Sequence, residues 1–232
     1  MKLGKYKGLH VQQPDLTVQD SEIEKVLLRS QRRNAIVIHG EDGRKTVSFQ
    51  PLDDDFARDF SEHETLDQWR VGIREELEER RRLSAEEKMS RSLLDQIIAD
   101  SRIPVDRRLK QDVFEELYED FLFDLEEKGI TLEAWCKRSG RTEKQLRSSK
   151  MDEAVRLIRS ESVLHAILAA EGITVSDAEM TEELRLLAEE EGMDCAAFTE
   201  QLGEEELDCI RDQLGLDKAM QFVIDHAVIT NE

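Results

Sequence analysis

Between Thr65 and Pro104 the only helix breaker is Gly72. A stretch so free of stops, opened by the capping box Thr65-Leu66-Asp67-Gln68, predicts one helix of about 36 residues, roughly 54 Å long at 1.5 Å per residue. Its apolar residues gather at the two ends: Leu66, Trp69, Ile73 and Leu77, then Leu93, Leu94, Ile97 and Ile98. The middle is charge, with Glu76–Arg80, Glu78–Arg82 and Glu87–Arg91 at the i, i+4 spacing that supports helical ion pairs. A helix apolar at its ends and polar between them is a strut joining two packing sites. A kink at Gly72 is the alternative.

Composition fits a thin body better than one thick core. The 232 residues carry 33 Lys+Arg against 53 Asp+Glu, a net charge of -20, and 37% are charged against 39% apolar. That balance favours an extended all-helical architecture with much solvated surface. It excludes a basic nucleic-acid binder, because phosphate is repelled. No apolar run approaches the ~18 residues of a membrane span. The opening Met1-Lys2-Leu3-Gly4-Lys5-Tyr6 lacks the apolar segment of a secretory signal. Cys136, Cys195 and Cys209 are odd in number and share no Cys-x-x-Cys spacing, which points to idle thiols in a reducing cytosol rather than disulfides or zinc. A cytoplasmic location is expected.

The first fifty residues read differently from the rest. Tyr6 to Val18 is extended, Ser21-Glu22-Ile23-Glu24 reads as a capping box, and Ile23, Val26 and Leu27 give one apolar face to a helix ending near Asn34. Ile36-Val37-Ile38, then Glu41-Asp42-Gly43, then Thr46-Val47-Ser48-Phe49 reads as a β-hairpin around an Asp-Gly turn. A lone hairpin is marginal in water, so it must lean on another element. After Pro51 only helices are expected, over about 105–128, 131–139, 142–171, 176–191, 194–202 and 204–227. Three of their ends, Gly129-Ile130, Gly172-Ile173 and Gly192-Met193, show the Schellman pattern of a left-handed glycine followed by an apolar residue.

No active site is visible. The histidines (His10, His39, His63, His165 and His226) are scattered, and His165 reads as a core or boundary residue. Nucleotide, dinucleotide and nucleophile-elbow motifs are missing, so no cofactor or metal is implied. Asp53-Asp54-Asp55 and Glu204-Glu205-Glu206 read as solvated helix starts.

Tyr6-Lys7-Gly8-Leu9, Val11, Pro14, Val18 and the stretch from Asp20 to Asn34 resemble the opening of the prolyl-isomerase domain of trigger factor, a bacterial chaperone family. Pro51-Leu52-Asp53-Asp54-Asp55-Phe56-Ala57 resembles the junction that leaves that domain. Thr65-Leu66 through Ile73-Arg74, Ile103-Pro104, Glu171-Gly172-Ile173-Thr174-Val175-Ser176-Asp177 and Ala227-Val228-Ile229-Thr230 resemble successive landmarks of the C-terminal domain. Order and spacing carry the resemblance over nearly the whole chain. Two departures stand out. The family's ribosome-docking loop has no counterpart, and where the family has an FKBP-like sheet only Ala35 to Gln50 fills the gap. Before residue 56 the aromatics are Tyr6 and Phe49, too few for a prolyl-binding cup.

The resemblance implies an elongated multi-helix cradle with arms over 51–232, preceded by a vestigial isomerase segment over 1–50. It implies a chaperone that holds unfolded or nascent-like polypeptides through exposed apolar surface, without ATP, ribosome docking, nucleic acid or membrane, and a homodimer as a possible assembly. A helical adaptor with one partner is the alternative, and a residual prolyl isomerase a third reading. Candidate client contacts lie on the helix from about Val105 to Lys128 and the one after it: Phe114, Tyr118, Phe121, Leu122, Phe123 and Trp135. At 100° per residue Phe114, Leu117, Tyr118, Phe121, Leu122 and Leu125 form one face that should be core. Phe123 falls opposite, beside Asp112, Glu116, Glu119 and Asp120, where it is either covered by another element or left open for a partner.

Overall fold

A computed structural model describes residues 1–39 and 45–230 of the chain; the Asp-Gly turn expected at 41–43 lies outside the described residues. The fold is all-α, with α1 (Asp20–Arg33), α2 (Asp54–Phe60), α3 (Leu66–Asp100), α4 (Arg107–Glu127), α5 (Leu132–Ser139), α6 (Glu143–Glu171), α7 (Asp177–Glu190), α8 (Cys195–Gln201) and α9 (Glu204–Asp225). Four short strands accompany them: β1 (His10–Gln12), β2 (Ile36–His39), β3 (Lys45–Ser48) and β4 (Val228–Thr230). The chain divides into two compact units, Gln12–Met89 and Met1–Val11 with Ser90–Thr230.

In the unit over Gln12–Met89, α1 lays Ile23 and Leu27 against Val18, Ala57, Leu66 and Ile73, with Val26, Leu52, Trp69 and Leu77 around them. The helix starts two residues earlier than the sequence suggests. Its capping pair is Gln19 and Glu22, the Gln19 N–H donating to the Glu22 carboxylate at 3.0 Å, and not Ser21 with Glu24. Glu22 is fixed there because it also accepts from Arg81 at 2.6 and 2.7 Å. Strands β2 and β3 pair antiparallel, Ile36 with Ser48 and Val37 with Val47. The Gln31 amide donates to the Gln50 carbonyl at 2.6 Å and ties the hairpin base to α1.

Helix α3 is unbroken through Gly72. That glycine answers to a neighbour, since a Cβ there would stand 2.6 Å from the His63 ring. The expected core residues are inside: Leu66 and Ile73 at one end, Leu93 and Ile97 at the other, with no buried residue between Arg74 and Ser92. The charged middle pairs otherwise than expected. Arg82 takes Glu79 and Glu86, while Arg81 leaves the helix to reach Glu22 and the Thr17 carbonyl. Arg81 gains a forked bond to a carboxylate on another element, while Arg82 stays on α3 and bridges two carboxylates, one on each side along the helix.

In the unit over Met1–Val11 and Ser90–Thr230, α4 packs on α6 and α6 on α9. The Schellman ends form as read: the Ile130, Ile173 and Met193 N–H groups donate to the carbonyls of Leu125, Leu168 and Ala188 at 2.8, 3.0 and 2.8 Å. Gly129, Gly172 and Gly192 have φ of 63°, 64° and 66°, which a side chain would strain. Residues 1–11 run as a strap. Lys2 exchanges backbone bonds with Arg102, Gly8 donates to the His226 carbonyl at 2.8 Å, and the Tyr6 hydroxyl donates to Glu171 at 2.6 Å. At its end β1 pairs with β4. The sequence reading extended α9 to residue 227; the chain instead leaves the helix after Asp225, because Leu9 accepts the Val228 N–H at 2.7 Å.

One ion pair closes α9 onto the start of α7. The Lys218 ammonium donates to Glu179 at 2.5 Å and to the Thr174 carbonyl at 2.7 Å, while Glu179 also accepts from the Ser176 N–H at 2.8 Å. Lys218, then the Ser176 hydrogen bonds, pull Glu179 down to about 2. Because the folded value lies below the ordinary glutamate value near 4.5, the stabilisation is complete above that pH and is lost as pH falls toward 2. Thermal melts of the wild type and Glu179→Gln should therefore differ at pH 7 and converge progressively below pH 4.5. A gap that stays constant down to pH 3 would show that the carboxylate's charge contributes nothing.

Candidate functional site

Helix α4 carries five of the six candidate residues, and its sequence explains how they divide. Asp106 caps it, accepting from the N–H groups of Arg108 and Leu109 at 2.8 and 3.0 Å. The face turned to α6 is fully used. Phe114 and Tyr118 are buried against Leu146 and Ala154, with Phe121, Leu122 and Trp135 partly buried on the same cluster. Phe121 and Trp135 meet edge to face at 5.0 Å. The Arg147 guanidinium lies 4.2 Å over the Tyr118 ring and is held by Glu143 at 2.9 Å, to which the Tyr118 hydroxyl also donates at 3.2 Å. Arg147, then Tyr118, pull the Glu143 carboxyl below its usual range. Those five side chains form a core with a polar clasp at its edge.

Phe123 stands apart. It is 61% exposed, the most exposed aromatic among the described residues. One and two turns away lie Glu116, Glu119, Asp120, Glu126 and Glu127, all exposed. Between Asp112 and Glu127 there are eight acidic residues and no basic one. The resolved ion pairs on this helix, Arg108 with Asp112 at 3.9 Å and Lys128 with Asp124 at 3.7 Å, are long and sit near its ends. The outer side of α4 is thus an uncovered ring inside a field of carboxylates, suited to an apolar side chain with a cation beside it.

Other large apolar side chains are left in water in the same unit: Leu109 on α4, Leu157 on α6 and Leu186 on α7 at 47%, 41% and 42%. In the other unit the hairpin exposes Ile36, Val37, Val47 and Phe49 at 49–53%. Sequence reading assigned the hairpin no role, because a period of two says which residues share a face and not whether anything covers it. Around it α1 and β3 present Arg29, Arg32, Arg33 and Lys45, all exposed.

Groups for bond chemistry do not converge. Among the described residues no three His, Cys, Asp or Glu side chains are placed to hold a metal ion. The three thiols are unpaired and scattered, and His165 sits at the surface with its Nε2 3.3 Å from Asp212. Among the described residues no helix is long and apolar enough to cross a membrane.

Comparison with known proteins adds the following. Residues 65–225 match the family described as bacterial trigger factor protein C-terminus. Trigger factor of Caldicellulosiruptor saccharolyticus is 29% identical over 188 residues, covering 81% of this chain and 43% of that protein. Trigger factor of Clostridioides difficile is 27% identical over 185 residues, covering 80% and 43%. The chain therefore spans less than half the length of these curated relatives. In fold it is similar to a structure of trigger factor domains from Thermotoga maritima, at a TM-score of 0.50 and 18% identity over 63% of this chain and 86% of that one. It is similar also to a hypothetical Mycoplasma protein, at 0.50 and 12% over 99% and 89%.

Proposed function

The chain belongs to the trigger factor C-terminal family, and from that premise we propose that it is an ATP-independent cytoplasmic chaperone holding unfolded or partly folded polypeptides on exposed apolar surface. The observation that carries the reading is Phe123, a large aromatic left 61% exposed on a helix whose opposite face is fully packed. A globule with no partner gains nothing from leaving such a ring in water, where burial would contribute about 2 kcal/mol or more. The carboxylates around it favour client segments in which an apolar residue is followed closely by lysine or arginine. Several exposed apolar side chains, on α4, α6 and α7, give a client alternative footholds in this unit.

Holding needs no bond to be made or broken, and the absence of a nucleotide motif fits release by exchange rather than by hydrolysis. The net charge of -20 opposes docking on ribosomal RNA. Residues 1–50 are proposed to be what remains of an isomerase domain, and residues 51–232 the helical chaperone domain. With Tyr6 and Phe49 as the only aromatics before residue 56, the chain is expected to lack prolyl isomerase activity.

Two measurements separate these readings. Substoichiometric protein should not accelerate a proline-limited refolding reaction; acceleration at catalytic concentration would restore the enzyme reading. Stoichiometric protein should suppress aggregation of several unrelated denatured proteins. Suppression confined to one of them would replace the general chaperone with a single-partner adaptor.

A further inference from the structure

We propose that the outer side of α6, with the cleft beside Arg91, binds acidic segments of polypeptide clients. The occupant rests on the chaperone reading, whereas the chemistry of the site does not. At 100° per residue Lys144, Ser148, Asp152, Arg156 and Arg159 fall within an arc of about 120°. Leu146 and Ala154, which pack on α4, lie on the opposite side. The arc thus holds three cations against one acid, and Arg141, just before the Thr142 cap, adds a fourth. Arg147 and Lys150, outside the arc, are already engaged by Glu143 at 2.9 Å and Glu153 at 3.1 Å. Among the described residues no carboxylate pairs with Arg91, Arg141, Lys144, Arg156 or Arg159. A cleft of about 420 Å³ opens against this side, lined by Arg91 of α3 and by Ser149, Asp152, Glu153 and Arg156.

Two of these cations stand where the fold does not want them. Arg141 and Lys144 flank the N-terminal cap of α6, at the positive end of the helix dipole, where a cation is disfavoured. Lys137 and Arg138, by contrast, end α5 and favour its dipole, so their charge is explained locally. A structural role would put acids at the start of α6, as Glu204, Glu205 and Glu206 stand at the start of α9. An incoming carboxylate supplies what is missing, since it meets a guanidinium as a forked acceptor. The cleft selects a polypeptide over a nucleic acid. Asp152 and Glu153 on its wall repel a phosphate at every nucleotide, but can accept from the backbone N–H groups between a peptide's carboxylates. No ring lines it for a base to stack on. Attraction at this range survives the net charge of -20, because distant carboxylates are screened beyond about 8 Å. The packed pair α4 and α6 then presents carboxylates on the outer side of one helix and cations on that of the other, and client segments of either charge find a foothold.

The probe is a short fluorescein-labelled peptide of alternating glutamate and serine, with no apolar residue, followed by anisotropy as the full chain is added. It should bind, and added salt should weaken it. Arg91→Gln/Arg156→Gln should weaken it about tenfold or more, and so should Arg141→Glu/Lys144→Glu. The second pair is exposed and its reversal favours the helix dipole, so that variant should melt at or above the wild-type temperature. Phe123→Ala should leave this probe's affinity unchanged, and a thymidine oligonucleotide of equal length should bind more weakly. No binding of the peptide, indifference to either pair, or a lower melting temperature in Arg141→Glu/Lys144→Glu would each overturn the proposal. Tighter binding of the oligonucleotide would overturn it in favour of a nucleic acid. Aggregation suppression by the wild type keeps the two readings apart. Suppression without peptide binding removes this site alone, whereas peptide binding without suppression removes the chaperone and leaves a site for acidic segments.

Discussion

Leu27→Ala is expected to cost about 3 kcal/mol of folding stability, the largest effect of any single truncation in α1. Leu27 is fully buried, enclosed by Val18, Ile23, Ala57, Leu66 and Ile73. Three members of that cluster come from residues before 50 and three from after it, so neither side can close around the cavity alone. The ion pairs that also join these segments, Arg70 with Glu24 at 3.0 Å and Arg74 with Asp20 at 2.6 Å, are solvent-exposed and contribute little. Leu28, the next residue, is 42% exposed, and Leu28→Ala should change stability by about 0.5 kcal/mol or less. Urea unfolding followed by Trp69 fluorescence in a Trp135→Phe background reads this cluster directly, since Trp69 packs on it. Equal losses at the two leucines would mean that α1 is not docked as described. For the same reason residues 1–50 expressed alone should show no cooperative melt, having lost half of the apolar cluster they pack into.

Most helices were legible because their ends are local chemistry. Thr131, Thr142, Ser176 and Asp194 each cap the helix that follows; Gly129 and Gly192 sit two residues before Thr131 and Asp194, and Gly172 closes α6 directly. Such signals need only the next four residues. What escaped depends on distant partners. Strand β4 follows α9 with no breaker of its own; its pairing with β1 brings together segments more than two hundred residues apart, as in the Thr230 hydroxyl that donates to the Val11 carbonyl at 3.3 Å. Arg81 sits in a run of three arginines, and nothing nearby marks it as the one that crosses to α1. The division of α4 into a core face and an outer face was legible, because 100° per residue separates Phe123 from Phe114, Tyr118 and Leu125 without further information. Whether another element covers Phe123 was not, since periodicity gives direction and not neighbours. The basic run from Lys25 to Lys45 was present in the sequence and hidden by the whole-chain charge, which averages over it.

Phe123→Ala is expected to leave the fold intact and to weaken client holding about tenfold, the largest functional loss of any single surface change. Stability should move by about 0.5 kcal/mol or less, because a ring that is 61% exposed leaves no cavity behind. The buried faces of the same helix supply the contrast. Phe114→Ala and Tyr118→Ala should each cost about 3 kcal/mol or more, since both rings are packed against Leu146 and Ala154. Any loss of holding in those two variants would then follow the unfolded fraction, whereas the loss in Phe123→Ala would appear at full folding. Aggregation suppression measured beside chemical denaturation distinguishes the two. If Phe123→Ala is as stable and as effective as the wild type, the ring is not a client contact, and the footholds must be sought at Leu157 on α6 or Leu186 on α7. If it is strongly destabilised, the outer face of α4 is covered in solution.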